Sequence, residues 1–564
     1  MFSRITVFLI LLFFCLDSNA QQILPYTITK KIEGTSGAVV SAHPLASKVG
    51  LDILKAGGNA VDAAIATQLA LAVVYPGAGN LGGGGFMIAC LNNGKTVALD
   101  YREMAPSNAT KDMYLDKNGN PITQLSLEGP MASGIPGTVA GLFASKKYAK
   151  LSFKKLISPA IQLAEKGFPI TASQAQSFNN NKSDFERMNK TAVAFVKNTH
   201  WKEGDVLIQP ELAKTLKRIL RKGVKGFYKG PVAKLIVQEM NRGKGIISLT
   251  DLKNYKAIER TAIRYNYKDY EIVGMPMPSS GGIIIQQLMK IIEQRNIADM
   301  GFQTAASVQL MTEAERRAFA DRGTYMGDAD FVKVPVKTLV SDAYLQQRMN
   351  DFKPGVAGNS KITKEGIISE SEETTHISIV DNEGNAVSVT TTLNGNYGSY
   401  TVVSGAGFLL NNEMDDFSVK PGTPNMYGAV GKTANAIAPG KRMLSSMSPT
   451  IVLKNNKPYI VVGTPGGTTI PTSVFQSLVN LLEFNLNEDD AVNKPKFHHQ
   501  WLPDELFIEK DFPSTVAAEL KTMGYKLSIR TSIGRTELIK ISNNNGRKIV
   551  AIADKRGDDA AEGY

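Results

Sequence analysis

Thr374 and Thr392 lie near the two ends of the segment TTHISIVDNEGNAVSVTTTLN, residues 374–394. Two apolar-polar runs flank the turn Asp381-Asn382-Glu383-Gly384, which reads as a β-hairpin. Setting Val380 opposite Asn385 brings Thr374 against Thr391, with Thr392 one step away. To within a residue of register, the two hydroxyls meet at the hairpin's open end. Thr374 also follows a polar stretch, 352–373, that reads as an exposed linker. If the Glu373–Thr374 bond is cut, Thr374 gains an α-amine beside its own hydroxyl. An α-amine has a pKa of about 7.7–8.0, so near neutrality part of it is an unprotonated base. It can take the hydroxyl proton and activate the oxygen as a nucleophile without a histidine. Thr392 could hydrogen-bond that oxygen. A threonine-rich strand by itself is also what high β propensity produces.

Such a nucleophile needs a donor pair for the oxyanion that forms when it attacks a carbonyl. Gly466-Gly467 stand between an apolar strand, 458–463, and a helix beginning near Pro471. Backbone N–H groups at a strand-to-helix turn, with no side chain in the way, suit that task. A second glycine run, Gly82 to Gly85, lacks the lysine of a phosphate-binding loop and reads as close backbone packing. His498-His499 point in different directions on regular structure and have no evident third ligand, so a structural role is expected and no metal.

The elements that must hold these groups follow from periodicity. Residues 41–75 read as two helices, the second capped by Asn59. A hairpin with Asn92-Asn93-Gly94 at its tip follows. Residues 130–330 read as mostly helical, and the Glu313–Arg317 pair as a salt-bridged surface. Past the linker, strands are expected at 375–380, 386–393, 449–454 and 458–463, then a helix at about 472–484. The chain thus divides into a helix-rich front and a strand-rich back.

Bulk properties exclude several classes. The chain has 564 residues, 43% hydrophobic and 21% charged, as a globular protein does. Arg4, the apolar run Ile5 to Leu16 and Ser18-Asn19-Ala20 form an export signal, 1–20, too short to span a bilayer. A lipid-anchored Cys15 is disfavoured by bulky Phe13-Phe14. Once Cys15 is removed with the signal, Cys90 is alone in an apolar run and no internal disulfide can form, which fits a periplasmic or secreted protein. The net charge of +12 comes from lysines in helical stretches, with no arginine-aromatic interleaving of a nucleic-acid module; a solvated basic surface is expected.

Larger motifs now bear on the reading. The hairpin, LLNNEMDDFSVKPG, KRMLSSMSPTIVL, VVGTPGGTTIPTSVFQ and FHHQWLPDEL closely resemble the γ-glutamyltranspeptidases, members of the N-terminal nucleophile hydrolases. So do SAHPLAS, GNAVDAAIAT, GNLGGGGFM and DYREMAP in the front half. The resemblance implies an α/β (α+β) four-layer α/β/β/α sandwich. It implies a precursor that cuts itself between Glu373 and Thr374 into a large subunit, 21–373, and a small catalytic subunit, 374–564. Thr374 matches the nucleophile, supported by Thr392, and Gly466 and Gly467 the oxyanion donors. Arg102, Ser445 and Ser446 match groups that bind the substrate α-carboxylate. Asn394, Glu413 and Asp416 match those around its α-amine. Tyr427 matches a lid over the glutamyl pocket. Implied substrates are glutathione or glutamine as donor, and water, amino acids or dipeptides as acceptor, with no cofactor, nucleic acid or membrane span. One departure is Asp554-Lys555-Arg556, where the family usually has Asp-Pro-Arg. Two rivals are a glutaryl or cephalosporin acylase of the same family and a non-catalytic periplasmic γ-glutamyl-binding protein. The acidic Glu413 and Asp416 favour a substrate with an ammonium over a glutaryl group.

Overall fold

The computed structural model describes residues 24–363, 373–420, 433–543 and 546–564. Two seven-stranded antiparallel sheets form its centre. One runs Ala560–Gly563, Ala38–Ser41, Glu373–Val380, Ala386–Asn394, Gly84–Cys90, Thr96–Asp100, Ile258–Arg260. The other runs Lys31–Gly34, Lys548–Ala553, Glu537–Ser542, Lys457–Gly463, Thr450–Lys454, Tyr270–Gly274, Ile263–Tyr267. Val40, Phe86, Ile88, Ile451, Val461 and Ile539 close the space between them. Alternate residues point the other way: Ile377, Ile379, Val387 and Val389 pack on the helix Ala60–Val74 and its neighbours. On the second sheet, Val452, Ile460 and Val462 meet the helices Gly281–Glu293, Ala305–Tyr325 and Thr469–Leu482. The four layers are therefore helix, sheet, sheet, helix, as the family resemblance implied. Among the described residues no helix is long and apolar enough to cross a membrane.

Local signals account for much of this. The helices Pro44–Lys55 and Ala60–Val74 stand where their apolar spacing put them. Asn59 and Asp62 form a reciprocal cap, with Asp62 N–H to Asn59 Oδ1 at 2.9 Å and Asn59 N–H to Asp62 Oδ2 at 2.9 Å. Cys90 is a buried free thiol, and burial pushes its pKa up to about 12.

Residues 130–330 are mostly helical, as expected, and also supply Ile258–Arg260, Ile263–Tyr267 and Tyr270–Gly274 to the two sheets. Three expectations are corrected. Glu313 and Arg317 are buried rather than surface, together with Arg316. Arg317 Nη1 donates to Glu313 Oε2 at 2.6 Å, and Tyr525 Oη to Glu313 Oε1 at 2.6 Å. Buried carboxylate and guanidinium groups persist because each finds several partners. The start of the linker is not loose: Ser360 is buried, its N–H donates to Asp504 at 2.8 Å, and Trp501 Nε1 donates to the Ser360 and Thr363 carbonyls at 3.0 Å each. Finally, the hairpin register is one residue from that expected. Val380 pairs with Ala386 and Thr374 with Thr392. The turn is longer because the Asp381 carboxylate accepts from Glu383 N–H and Asn385 N–H, both at 2.9 Å.

Candidate active site

Thr374 and Thr392 are directly opposed and nearly inaccessible, 4% and 3% exposed. Opposed residues of an antiparallel pair share a face, so both side chains lie on the inter-sheet side. Thr392 Oγ1 accepts the Asn394 N–H at 2.8 Å. Behind them lies a polar strip that sequence reasoning did not single out. His376 Nδ1 meets Thr390 Oγ1 at 2.8 Å and its Nε2 meets Ser378 Oγ at 3.2 Å. Ser378 donates to the Glu537 carbonyl at 3.0 Å and Ser388 to the Val462 carbonyl at 3.2 Å, so the strip bolts one sheet to the other. Burial lowers the His376 pKa to about 3, which keeps the ring neutral and structural. The signal in the sequence was the run of polar residues at every second position, His376, Ser378, Ser388 and Thr390.

Glycines let the chain close around this hairpin. A Cβ on Gly83 would stand 2.0 Å from the Thr392 carbonyl oxygen, and one on Gly85 would stand 2.4 Å from that of Thr390. The expectation of close backbone packing at Gly82 to Gly85 is met. From the other sheet, Gly463 abuts His376 so closely that a Cβ there would lie 2.2 Å from the imidazole Cε1. The Gly466-Gly467 turn follows three residues later, and Thr374 is two residues from His376. Gly466 has φ +133° and Gly467 φ +57°, conformations that L side chains rarely adopt. Their carbonyls accept from Thr469 N–H at 3.0 Å and Ile470 N–H at 3.1 Å, at the start of the helix Thr469–Leu482. Among the described residues neither glycine N–H donates to a protein acceptor. The turn can offer two donors to an anion at a helix N-terminus.

Arg102 follows the strand Thr96–Asp100 and is 1% exposed. Its guanidinium forms ion pairs with Glu413 and Asp416 and donates to the Met443 and Leu444 carbonyls at 3.3 Å each. The residues expected to bind the two ends of an α-amino acid are thus joined to each other, one cation between two carboxylates. Glu103 Oε2 lies 3.7 Å from the same guanidinium. Burial raises the Glu103 pKa to about 7, with Arg102 opposing the rise.

Two asparagines position this cluster, and neither stood out in the sequence. Asn411 Nδ2 donates to the Gly82 and Gly134 carbonyls at 2.8 and 2.9 Å, and its Oδ1 accepts from Gly134 N–H and Glu413 N–H at 2.8 and 3.0 Å. Asn435 donates to the Asp416 carbonyl at 2.6 Å and accepts the Leu444 N–H at 3.0 Å, tying the acidic turn to the serine loop. Asn394, with φ +73°, donates to the Asn412 carbonyl at 3.0 Å, which links the hairpin end to the acidic turn Glu413–Asp416. Ser445 and Ser446 come directly after the carbonyls that hold Arg102. Ser445 Oγ accepts the Met447 N–H at 3.2 Å, leaving its proton for another acceptor, and Ser446 is fully buried. Tyr427 lies outside the described residues.

The paired histidines turn to different partners. His498 Nδ1 meets Thr472 Oγ1 at 2.9 Å, while His499 Nδ1 accepts the Trp501 N–H at 3.0 Å. Burial lowers both pKa values, that of His499 to about 4. Among the described residues there is no cluster of His, Cys, Asp and Glu that could hold a metal. At the C-terminal departure, Arg556 binds the Asp554 carboxylate at 2.9 Å and Glu509 at 2.6 Å, so ion pairs hold the turn that proline would stiffen.

The chain resembles known proteins over most of its length. A family model described as gamma-glutamyltranspeptidase matches residues 46–564. The chain is 46% identical over 539 residues to the glutathione hydrolase proenzyme of Escherichia coli strain K12, covering 94% of this chain and 93% of that protein. It is similar to the crystal structure of a cephalosporin acylase from Bacillus halodurans, at TM-score 0.84 and 26% identity, over 96% of this chain and 98% of that one. It is also similar to Helicobacter pylori gamma-glutamyltranspeptidase, at TM-score 0.57 and 44% identity, over 58% of this chain and 94% of that one. The chain belongs to the gamma-glutamyltranspeptidase family.

Proposed function

We propose that the chain is the proenzyme of a γ-glutamyltransferase and glutathione hydrolase that works through an N-terminal threonine. The observation that carries the mechanism is the opposed, buried Thr374–Thr392 pair on the inter-sheet side, together with a glycine turn, three residues past the Gly463 that abuts His376, whose two N–H groups have no protein acceptor among the described residues. Maturation begins when Thr374 Oγ1 attacks the Glu373 carbonyl carbon. The C–N bond breaks, the nitrogen takes the hydroxyl proton, and an ester remains. Water opens the ester, leaving the Glu373 carboxylate on the large subunit, 21–373, and a free α-amine on the small one, 374–564. The export signal at 1–20 directs the protein to the periplasm or outside the cell.

In turnover the α-amine of Thr374 removes the proton of its own hydroxyl. The oxygen attacks the γ-amide carbonyl of glutathione or glutamine. Gly466 and Gly467 N–H groups hold the resulting oxyanion, an interaction present only once charge develops. Collapse expels the amine, which takes the proton held by the Thr374 nitrogen. A γ-glutamyl ester on Thr374 then passes to water or to the amine of an amino acid or dipeptide. The α-carboxylate of the donor sits on Arg102 with Ser445 and Ser446. Its α-ammonium sits on Glu413 and Asp416 with Asn394. A zwitterion satisfies this cluster because it adds one charge of each sign, exchanging Arg102's pairs rather than stranding them. A glutaryl group brings no ammonium for the two carboxylates, which disfavours the acylase reading. Tyr427 is assigned to a lid over the pocket.

Purified protein on a denaturing gel tests this reading. Two bands are expected, the smaller beginning Thr-Thr-His, and Thr374→Ala is expected to give one uncut, inactive band. A binding protein would remain one band. Cleavage of the Thr374→Ala chain at the same bond would refute the assignment.

A further inference from the structure

Counted along the chain, the excess positive charge of this protein falls in one stretch, of which Lys147, Lys150 and Arg187 pair in the fold with Glu259, Glu383 and Glu128 from outside it. Residues 146–234 hold 19 Lys and Arg against 6 Asp and Glu, an excess of 13, whereas the whole chain has an excess of 12. The sequence scatters these cations over several helices, but the fold brings the helices together. Phe153–Lys166 packs on Pro210–Lys222, which packs on Lys225–Tyr228, which packs on Gly230–Gly243. The inner side of Pro210–Lys222 buries Leu212, Leu216 and Ile219, which turns its cations to solvent. Among the described residues Lys214, Arg221, Lys222, Lys225, Lys229 and Lys234 have no carboxylate partner. Two acids of these helices are already engaged: Glu165 pairs with Lys217, and Glu211 accepts the Gly405 N–H at 3.0 Å. Large apolar side chains stand exposed at both ends of the same helix, Val206 and Ile208 before it and Val224 after it, at 51%, 49% and 37% exposure.

We propose that this face docks the protein peripherally on a membrane surface of anionic, phosphate-bearing lipids. Unpaired lysines along a helix supply the long-range attraction, and apolar side chains at its ends can enter the headgroup layer. The apolar residues favour a lipid surface over a nucleic acid or a polysaccharide, which would leave them in water. The face is built by helices on the outer side of the hairpin-bearing sheet, whereas Thr374 and Thr392 face the inter-sheet side. Docking and catalysis can therefore be measured separately.

The test is co-sedimentation of the processed protein with vesicles of phosphatidylcholine, with and without about a quarter phosphatidylglycerol. Binding to the anionic vesicles is expected at low salt and loss of it near about 1 M salt, where the screening length is about 3 Å. Each neutralised cation near the surface lowers the partition about fivefold. The triple variant K214Q/R221Q/K225Q is thus expected to bind about a hundredfold more weakly while hydrolysing a γ-glutamyl donor normally. The same charge change at the exposed Lys454, Lys457 and Lys521 is expected to cost far less. Equal binding to neutral vesicles, or equal losses for the two triple variants, would overturn the proposal. Retention on heparin without vesicle binding would overturn it too, by assigning the face to a soluble polyanion.

Discussion

Replacing Asn411 by alanine tests whether the acidic turn is held from behind. The side chain is fully buried and makes four hydrogen bonds to backbone groups. The Gly82 carbonyl keeps a second donor, the Asn411 N–H at 3.3 Å, but Gly134 N–H, Gly134 C=O and Glu413 N–H lose this partner. An unsatisfied buried polar group costs about 1–3 kcal/mol. Three such groups at the lower figure amount to about 3 kcal/mol, since a water entering the polar void would recover part of the loss. The urea midpoint of the processed pair is therefore expected to fall clearly. The bond to Glu413 N–H also fixes the first residue of the Glu413–Asp416 turn. Losing about 1 kcal/mol of that restraint corresponds to about a fivefold rise in KM for a γ-glutamyl donor. The proposed oxyanion donors follow a strand of the other sheet, so kcat is expected to stay within about twofold. Michaelis analysis with a chromogenic γ-glutamyl anilide separates the two constants. An unchanged KM in a destabilised variant would show that Asn411 serves the fold and not the turn. A fall in kcat without a change in KM would refute the division of roles between the two halves of the site.

Gly466→Ala places a Cβ 2.3 Å from Thr469 Oγ1, at a backbone angle suited to glycine. In material that has matured, kcat is expected to fall about 100–1000-fold, the usual cost of one oxyanion donor, with little change in KM. Glu103 has a folded pKa near 7 because burial disfavours its charge, against 4.5 for the ordinary side chain. The native state binds the Glu103 proton more tightly than the unfolded chain does. Stability from this group is therefore full below about pH 4.5 and is lost as pH rises toward 7, at up to about 1.4 kcal/mol per pH unit. Urea midpoints followed across that window should fall for the wild type and fall less for Glu103→Gln; parallel curves would refute it. The Cys90 thiol, buried and pushed up to about 12, is expected to react with thiol reagents only after denaturation.

Several parts of the site were readable because their causes are local. The hairpin follows from alternation over residues 374–394, and the strand-to-helix turn from Gly466-Gly467. What failed involved burial. Glu313 and Arg317 look like an exposed helical pair at one-turn spacing, yet Ser360, Asp504 and Tyr525 bury and satisfy their cluster from far along the chain. Residues 352–363 look like free linker by composition, yet Trp501 and Asp504 hold them down. The strands Ile263–Tyr267 and Tyr270–Gly274 were lost among helices because each is only five residues long and the partners that pair with them are reached only in the fold.

The chain by itself offered a threonine at the start of a hairpin strand, open to a reading as an N-terminal base and nucleophile, and two glycines at a strand-to-helix turn, whereas the arginine and acids took their reading only from the family resemblance. The first two are properties of residue types and of turns a few residues long, so the order of letters suffices. Only the tertiary structure decided that Arg102 would lie between Glu413 and Asp416, that Asn411 and Asn435 would hold them, and that cations from separate helices would gather on one face. Those contacts join residues tens to hundreds of positions apart. Their energies depend on burial and pairing, which do not exist until the two sheets and their helices have packed.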